Sequence, residues 1–395
     1  MLQEIRLKKN EDRRIRNGQV WVYSNEVDIG STPLNKFIPG GQAVLKASSG
    51  EALGVVYVNP NTLICGRMIS RNPDVLLTGE LIKARIESSL KLRGMIFDKP
   101  FYRLVYGESD NLPGLVIDRF NDIFVVQIST AGMELVKNEI AGAIVSIFNP
   151  KGVFFKNDGK MRQAEGLDEY HETAYGDAAD EIPVIENDTF FKLPVKSGQK
   201  TGWYYDHRMN RLRLNSYANG KSVLDMFSYI GAWGIQAAVS GAAAVTCADS
   251  SRAALEALAV NAELNKVSRK IKTINGDAFQ ILKDLSAGGE RFDIVILDPP
   301  AFIARKKDIK SGEEAYRRLN DLAIRVLNDG GILASCSCSL HLSRDRLTEL
   351  IHKAGRKLGK TIQILEQGHQ SPDHPVHPAI PETEYLKAVF AYITS

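Results

Sequence analysis

The chain has 395 residues, 44% of them hydrophobic, with 50 basic against 47 acidic side chains and a net charge of +3. That is length for two or three domains around ordinary cores, and a charge too small by itself to mark a nucleic-acid-binding protein. Four cysteines give no secreted disulfide framework, and Glu4, Arg6, Lys8 and Lys9 open the chain without an apolar signal core. No stretch has the length of a membrane span, so a cytoplasmic location with no membrane partner is the default.

In chain order, residues 1–72 hold short β-like runs, Val20 to Tyr23, Gly41 to Lys46, Leu53 to Val58 and Leu63 to Arg67, broken by Gly, Pro and Asn as in a small barrel. Arg6, Lys8, Lys9, Arg13, Arg14 and Arg16 precede the aromatic pair Trp21 and Tyr23. Cations beside aromatics suit a surface that contacts phosphates and stacks on bases, whereas an isolated charge run is more often a solvated face. Asp74 to Arg93 reads as an amphipathic helix. Strands at Tyr102 to Val105, Leu115 to Asp118 and Ile123 to Ile128, a helix near Met133 to Phe148 and a strand at Gly152 to Phe155 make residues 73–181 a small α/β connecting domain. The segment Ile182 to Val195, with Glu186-Asn187-Asp188 between apolar runs, predicts a β-hairpin opening a third region, residues 182–395.

Five segments of that region follow predicted strands: Leu224-Asp225-Met226-Phe227-Ser228-Tyr229-Ile230-Gly231, Ala248-Asp249-Ser250, Gly276-Asp277-Ala278-Phe279, Leu297-Asp298-Pro299-Pro300-Ala301-Phe302 and Ser335-Cys336-Ser337-Cys338-Ser339. Open α/β sheets bind ligands at these strand ends. Gly231 and Gly234 allow a close backbone approach, Asp249 can accept two ribose hydroxyls, and Asp277 can receive an adenine amino group beside Phe279. An aspartate there can equally cap the following helix, and for Asp277 alone the two readings balance. The ordered set predicts a seven-stranded Rossmann-like domain, closed by Ile362 to Glu366 and Leu386 to Ile393 as a reversed hairpin, with a pocket for S-adenosylmethionine.

A nicotinamide site is the competing reading, but Gly231-Ala232-Trp233-Gly234 is only a fragment of G-x-G-x-x-G. Asp298-Pro299-Pro300 discriminates better: a carboxylate fixed by two prolines makes a stiff ledge for a flat heterocycle, with Phe302 as a stacking face. In the fifth segment alternation puts Cys336 and Cys338 on one face and does not choose between them. A thiolate is the nucleophile needed to activate a pyrimidine ring carbon, although free cysteines are also common buried apolar groups.

The chain resembles the ribosomal RNA large-subunit methyltransferase I family over essentially its whole length. The resemblance is carried by Arg14 and Gly18 to Val27, by Tyr106 to Leu115, by Glu165-Gly166, by Gly198 to Arg208, and by the Asp-Pro-Pro-Ala-Phe and Ser-Cys-Ser segments. It implies a PUA-type RNA-binding domain, an α/β connecting domain and a methyltransferase domain. The implied activity is methyl transfer from S-adenosylmethionine to carbon 5 of a cytosine in large-subunit (23S) rRNA. Cys338 is then the nucleophile, Cys336 its strand neighbour, and Asp298 the carboxylate that holds the base edge. Relatives that methylate guanine N7 share a Lys-Thr-Gly segment and an Asp-Pro-Pro motif but need no thiol. A non-catalytic RNA-binding or assembly factor is the reading from another class.

Residues expected to meet the methyl donor are Lys200, Thr201, Arg208, Asp225, Phe227, Ser228, Gly231, Asp249, Ser250, Asp277, Ala278 and Asp298. Tyr204 or Tyr205 is expected to pack on the ligand, the alternative for this segment being a helix start with an Asp206-Arg208 surface pair. No metal is expected, because His369, His374 and His377 lie among prolines with no C-x-x-C partner. Large-subunit rRNA is the expected partner, and a homodimer is allowed.

Overall fold

The structure is a computed structural model that describes residues 2–177, 181–194, 198 and 201–395. Alternating apolar residues build the first sheet from β1 (Gln3–Arg6), β2 (Trp21–Val22), β3 (Gly41–Lys46), β4 (Ala52–Val58) and β5 (Gly66–Ser70), in the order β1-β3-β4-β5-β2, with α1 (Asp12–Arg16) between the first two strands. Ile5, Val22, Leu45, Val56 and Val58 fill its interior. The expected strand at Leu63 to Arg67 begins only at Gly66. Thr62, Ile64 and Cys65 instead close a turn on Asn59, whose backbone N–H donates to the Cys65 carbonyl at 2.8 Å.

Helix α2 (Gly79–Gly94) starts later than the expected Asp74, because the Thr78 hydroxyl caps it by accepting the Leu81 N–H at 3.3 Å. A second sheet follows, built from β6 (Phe101–Tyr106), β7 (Leu115–Phe120), β8 (Ile123–Ile128), β9 (Gly152–Asn157) and β10 (Tyr170–Gly176) in the order β10-β9-β8-β7-β6. The single helix expected over Met133 to Phe148 is two, α3 (Ala131–Glu134) and α4 (Lys137–Phe148), broken where Val136 leaves helical geometry. Short α5 (Met161–Ala164) precedes β10, a strand the sequence did not signal. Hairpin strands β11 (Glu181–Glu186) and β12 (Thr189–Pro194) meet at Asn187 and Asp188, whose φ values of 48° and 57° are those of a two-residue turn.

The chain divides into two units, one of Met1–Ile182, Pro194–Trp203 and Pro372–Thr383, the other of Pro183–Leu193, Tyr204–Ser371 and Glu384–Ser395. In the first, segments that carried the family resemblance serve as internal struts. Trp21 Nε1 donates to Glu108 at 2.9 Å, while Arg67 and Asn59 each bond Glu165 at 2.7 Å. Arg93 clamps Asp110 with two bonds of 2.6 and 2.7 Å and also donates to the Asp373 carbonyl at 2.9 Å. The Asp373-His374-Pro375 loop is thus a clasp of this unit, and His374 bonds Asp373 at 2.9 Å.

The second unit is a seven-stranded sheet of β13 (Ser222–Met226), β14 (Ala244–Asp249), β15 (Ile271–Asn275), β16 (Phe292–Leu297), β17 (Leu327–Ser337), β18 (Thr361–Gly368) and β19 (Lys387–Thr394), in the order β15-β14-β13-β16-β17-β19-β18. Its helices are α6 (Arg208–Asn215), α7 (Ala232–Val239), α8 (Arg252–Leu264), α9 (Ala278–Ala287), α10 (Ile309–Arg325) and α11 (Arg344–Lys357). The strands from β13 to β17 run parallel, and β19 is antiparallel to both neighbours, as the expected reversed hairpin requires. The strand order reverses between β13 and β16, which places the ligand crevice at the ends of those two strands.

Candidate active site

At the end of β13 the chain turns sharply enough to put Phe227 and Tyr229 at positive φ, 64° and 49°, backbone strain of the kind concentrated at functional sites. Gly231 follows at φ 90°, and a Cβ there would lie 2.6 Å from the Ile235 side chain. A Cβ on Gly234 would lie 2.5 Å from the Cys247 sulfur, so glycine lets α7 sit directly on the sheet. Its N–H consequently reaches the Asp225 carboxylate at 2.9 Å. Asp225 is fully buried, and among the described residues neither its Oδ1 nor the buried Ser228 hydroxyl has a hydrogen-bond partner. Burial, aided by the nearby charges of Asp298 and Asp249 and opposed by the Gly234 bond, pushes the Asp225 carboxyl up to about 8.

At the end of β14, Asp249 accepts the Tyr229 N–H at 2.9 Å and the Ser251 N–H at 2.8 Å, so its carboxylate is oriented by the two loops that frame the pocket. Ser250 beside it is exposed. After β15, Asp277 caps α9 by accepting the Gln280 N–H at 3.0 Å, the structural alternative its sequence position offered. Ala278 and Phe279 follow half-buried, with the Phe279 ring 6.3 Å from Phe302 and under the Arg318 guanidinium.

Asp298 leaves the end of β16 with 23% of its side chain exposed. His207 Nε2 lies 3.1 Å from its Oδ1, and Trp233 Nε1 donates to its Oδ2 at 3.0 Å. Burial works against the anion, yet the charge of His207 and the His207 and Trp233 hydrogen bonds outweigh it and hold the carboxyl below its ordinary value. The Cys336 sulfur joins this pair: one ligand atom each of His207, Asp298 and Cys336 lies within 4.8 Å of the others. Cys336 is fully buried and its thiol is pushed well up, first by burial and then by Asp298.

The alternating Ser-Cys-Ser-Cys-Ser pattern has a packing explanation. Ser337 donates to the Tyr316 hydroxyl and Ser339 bonds it from the other side, each at 2.9 Å, which ties the serine face of this segment to α10. Cys338 is half-buried between them. Lys387 sits in its field: the buried ammonium donates to the Ser339 and Tyr385 carbonyls at 2.6 and 2.7 Å, and burial pushes its pKa down to about 8 against the pull of Cys338. Tyr204 packs edge-on against Tyr229 at 5.8 Å, in the field of Asp298 and Cys338.

Other expectations find different partners. Thr201 is buried with its hydroxyl on Asp118 at 2.6 Å, inside the first unit. Arg208 and Asp206 are not a surface pair but are both buried. The Arg208 guanidinium lies 3.5 Å from Glu186 and over the Tyr205 ring, while Asp206 accepts the Tyr385 hydroxyl. Arg211 completes this strut with a 2.6 Å bond to Glu186, so hairpin β11–β12 braces the segment that presents His207. Tyr205 is core. Lys200 lies outside the described residues. His207, Trp233 and Lys387 were not singled out by the sequence. His207 could have been noted as the one imidazole in the Gly198 to Arg208 segment, and Lys387 as a lysine at the start of an apolar strand.

A family model for S-adenosylmethionine-dependent methyltransferases matches residues 162–389, and one for a PUA-like domain matches residues 5–71. The seven-stranded sheet and its strand-end pocket therefore belong to an S-adenosylmethionine-dependent methyltransferase. Proteins named ribosomal RNA large subunit methyltransferase I are similar along the full chain: that of Aliivibrio fischeri strain ES114 is 32% identical and that of Cronobacter sakazakii 30%, with 98% of each chain covered in both cases. The chain belongs to this ribosomal RNA large subunit methyltransferase I family. Among solved structures, the methyltransferase SMU.776 complexed with SAH shares the fold, with a TM-score of 0.85 at 22% identity, covering 99% of this chain and 100% of that one.

Proposed function

We propose that the chain methylates carbon 5 of a cytosine in large-subunit rRNA, with Cys338 as nucleophile and Asp298 as the carboxylate that holds the base. The names of its relatives support the rRNA substrate, and a cytoplasmic setting follows from that substrate. The observation that carries the carbon-5 reading is a half-buried thiol, Cys338, next to a buried ammonium and in the same strand-end crevice as Asp298. A guanine N7 enzyme has no use for a thiol there, because N7 already carries a lone pair.

The pocket suits the methyl donor. Asp225 Oδ1 and Ser228 Oγ, without hydrogen-bond partners among the described residues, the strained turn at Phe227 to Gly231, and the carboxylates of Asp249 and Asp277 are the groups that would hold it. When bound, S-adenosylmethionine supplies an electrophilic methyl group. The chain's own part begins with the Cys338 thiolate adding to carbon 6, which places electron density on carbon 5. Asp298, kept anionic by His207 and Trp233, accepts a hydrogen bond from the amino group beside N3 and holds that edge of the base as the charge shift occurs. Loss of the carbon-5 proton then lets the ring expel the thiolate. In the division of labour that accompanies this reading, residues 1–72 bind RNA, 73–181 connect and 182–395 catalyse.

The test is covalent trapping on RNA carrying 5-fluorocytosine, where fluorine cannot leave as a proton. We expect a stable adduct whose peptide contains Cys338, and no methyl transfer by Cys338→Ala although it still binds S-adenosylhomocysteine. Activity retained in Cys338→Ala with no adduct would favour the guanine reading. An adduct on Cys336 would reassign the nucleophile.

A further inference from the structure

Beyond Asp298-Pro299-Pro300 the chain runs through exposed Arg305, Lys306 and Lys307 to exposed Lys310 in the first turn of α10. Four cations stand within six residues against one carboxylate, Asp308, which pairs with Arg305 at 3.3 Å. Among the described residues, Lys306, Lys307 and Lys310 have no ion-pair partner. In the N-terminal cluster that the sequence offered as the nucleic-acid surface, by comparison, the two arginines nearest Trp21 are taken up by carboxylates. There Arg14 pairs with Glu26, Arg16 with Asp12 and Glu51 at 2.7 and 2.6 Å, and Lys8 bonds the Asn25 carbonyl at 2.9 Å.

The basic segment is also held in register with the thiol. Buried Ile303 anchors it, and the Ile303 N–H donates to Ser339 Oγ at 3.1 Å, the hydroxyl that also bonds Tyr316 on α10. Gly312 makes the close packing possible, since a Cβ there would lie 2.3 Å from the Ile303 side chain and 2.8 Å from the Phe302 carbonyl. Cations two to seven residues beyond this anchor therefore keep a set position relative to Cys338, the neighbour of Ser339. Unpaired charge costs little while solvated and is favourable when it displaces condensed counterions from a phosphate chain.

We propose that Lys306, Lys307 and Lys310 form a rim that grips the phosphates of the RNA strand flanking the nucleotide presented to Cys338. The proposal rests on the methyltransferase reading above and assigns to the catalytic unit its own share of RNA affinity. The strand at the site is single-stranded, because a base attacked at carbon 6 has to leave its stack.

The experiment measures binding of unmodified large-subunit rRNA transcript across a salt series, for the wild type, for Lys306→Ala/Lys307→Ala/Lys310→Ala and for the same three positions changed to Arg. Each phosphate contact on a single strand contributes a slope of about −0.7 in log K against log salt, so the alanine variant should lose about 2 units of slope. The arginine variant should keep the wild-type slope, and both should bind S-adenosylhomocysteine as the wild type does. An alanine variant with an unchanged slope overturns the rim while leaving the enzyme reading intact. A wild type with no salt-dependent RNA affinity overturns both.

Discussion

The imidazole of His207 donates its Nε2 proton to Asp298 Oδ1 across 3.1 Å. The direction follows because an ionised carboxylate can only accept. Asn210 Nδ2 donates to the His369 carbonyl at 3.1 Å, and the same NH2 group lies 3.3 Å from His207 Nδ1, which holds the ring in place. The imidazole thus serves as a donor to the carboxylate, with Trp233 as the second donor.

Removing that donor should move the pH profile of methyl transfer. Asp298 is held below its ordinary value in part by His207, so His207→Ala lets its pKa rise and shifts the acidic limb of the profile toward higher pH. Asp206, Asp225, Cys336 and Tyr204 also bear on this carboxylate, and all remain in the variant. A hydrogen bond to a charged group is worth about 1.5–3 kcal/mol, so turnover should fall roughly 10- to 100-fold, with His207→Gln, which keeps a donor, between the two. A profile unchanged in His207→Ala would show that the contact is only structural.

Asp225 predicts a stability effect of opposite character. Its carboxyl is raised to about 8 in the fold against an ordinary 3.8, so between roughly pH 4 and 8 the folded state binds the extra proton and stability falls as pH rises. Asp225→Asn removes this dependence. In thermal denaturation without cofactor, the melting temperature of the variant relative to wild type should climb steadily from pH 5 to pH 8. A constant difference would mean that Asp225 is ionised in the folded protein throughout.

Asp249→Ala should weaken S-adenosylhomocysteine binding by about 1.5–3 kcal/mol in calorimetric titration. The carboxylate also receives the Tyr229 and Ser251 N–H groups, so part of the loss is loop order rather than ligand contact. Asp249→Asn keeps one acceptor oxygen and should lose less. Equal affinity in Asp249→Ala would place the ribose elsewhere.

The architecture was legible because strand signals and strand-end motifs are local. Leu224-Asp225, Ala248-Asp249 and Leu297-Asp298 each announce a buried parallel strand and its polar exit within a few residues, and the reversed hairpin at the end follows from two apolar runs. Side-chain partners stayed out of reach of the sequence where tertiary contacts decide. Nothing near Arg208 in sequence indicates its partner Glu186, which lies 22 residues upstream. Thr201 is engaged by Asp118, 83 residues away. His207 and Lys387 reach the site from elements remote from both motifs, so no window of sequence could have joined them to Asp298 and Cys338.

Lys387 supplies the sharpest test of the thiol assignment. Its ammonium is buried, is fixed by the Ser339 and Tyr385 carbonyls, and interacts favourably with a negative Cys338. A neighbouring cation raises the thiolate fraction and hence the rate of alkylation. Iodoacetamide labelling at pH 7, followed by peptide mass spectrometry, should therefore mark Cys338 ahead of Cys336, which is buried and pushed well up. Lys387→Met should slow the Cys338 reaction by a factor on the order of ten, and Lys387→Arg, which retains the charge, should slow it less. Because burial brings the lysine pKa down to about 8, the advantage of wild type over Lys387→Met should shrink as pH rises past that value. An equal labelling rate in wild type and Lys387→Met at pH 7 would remove the cation from the account of how Cys338 becomes a nucleophile.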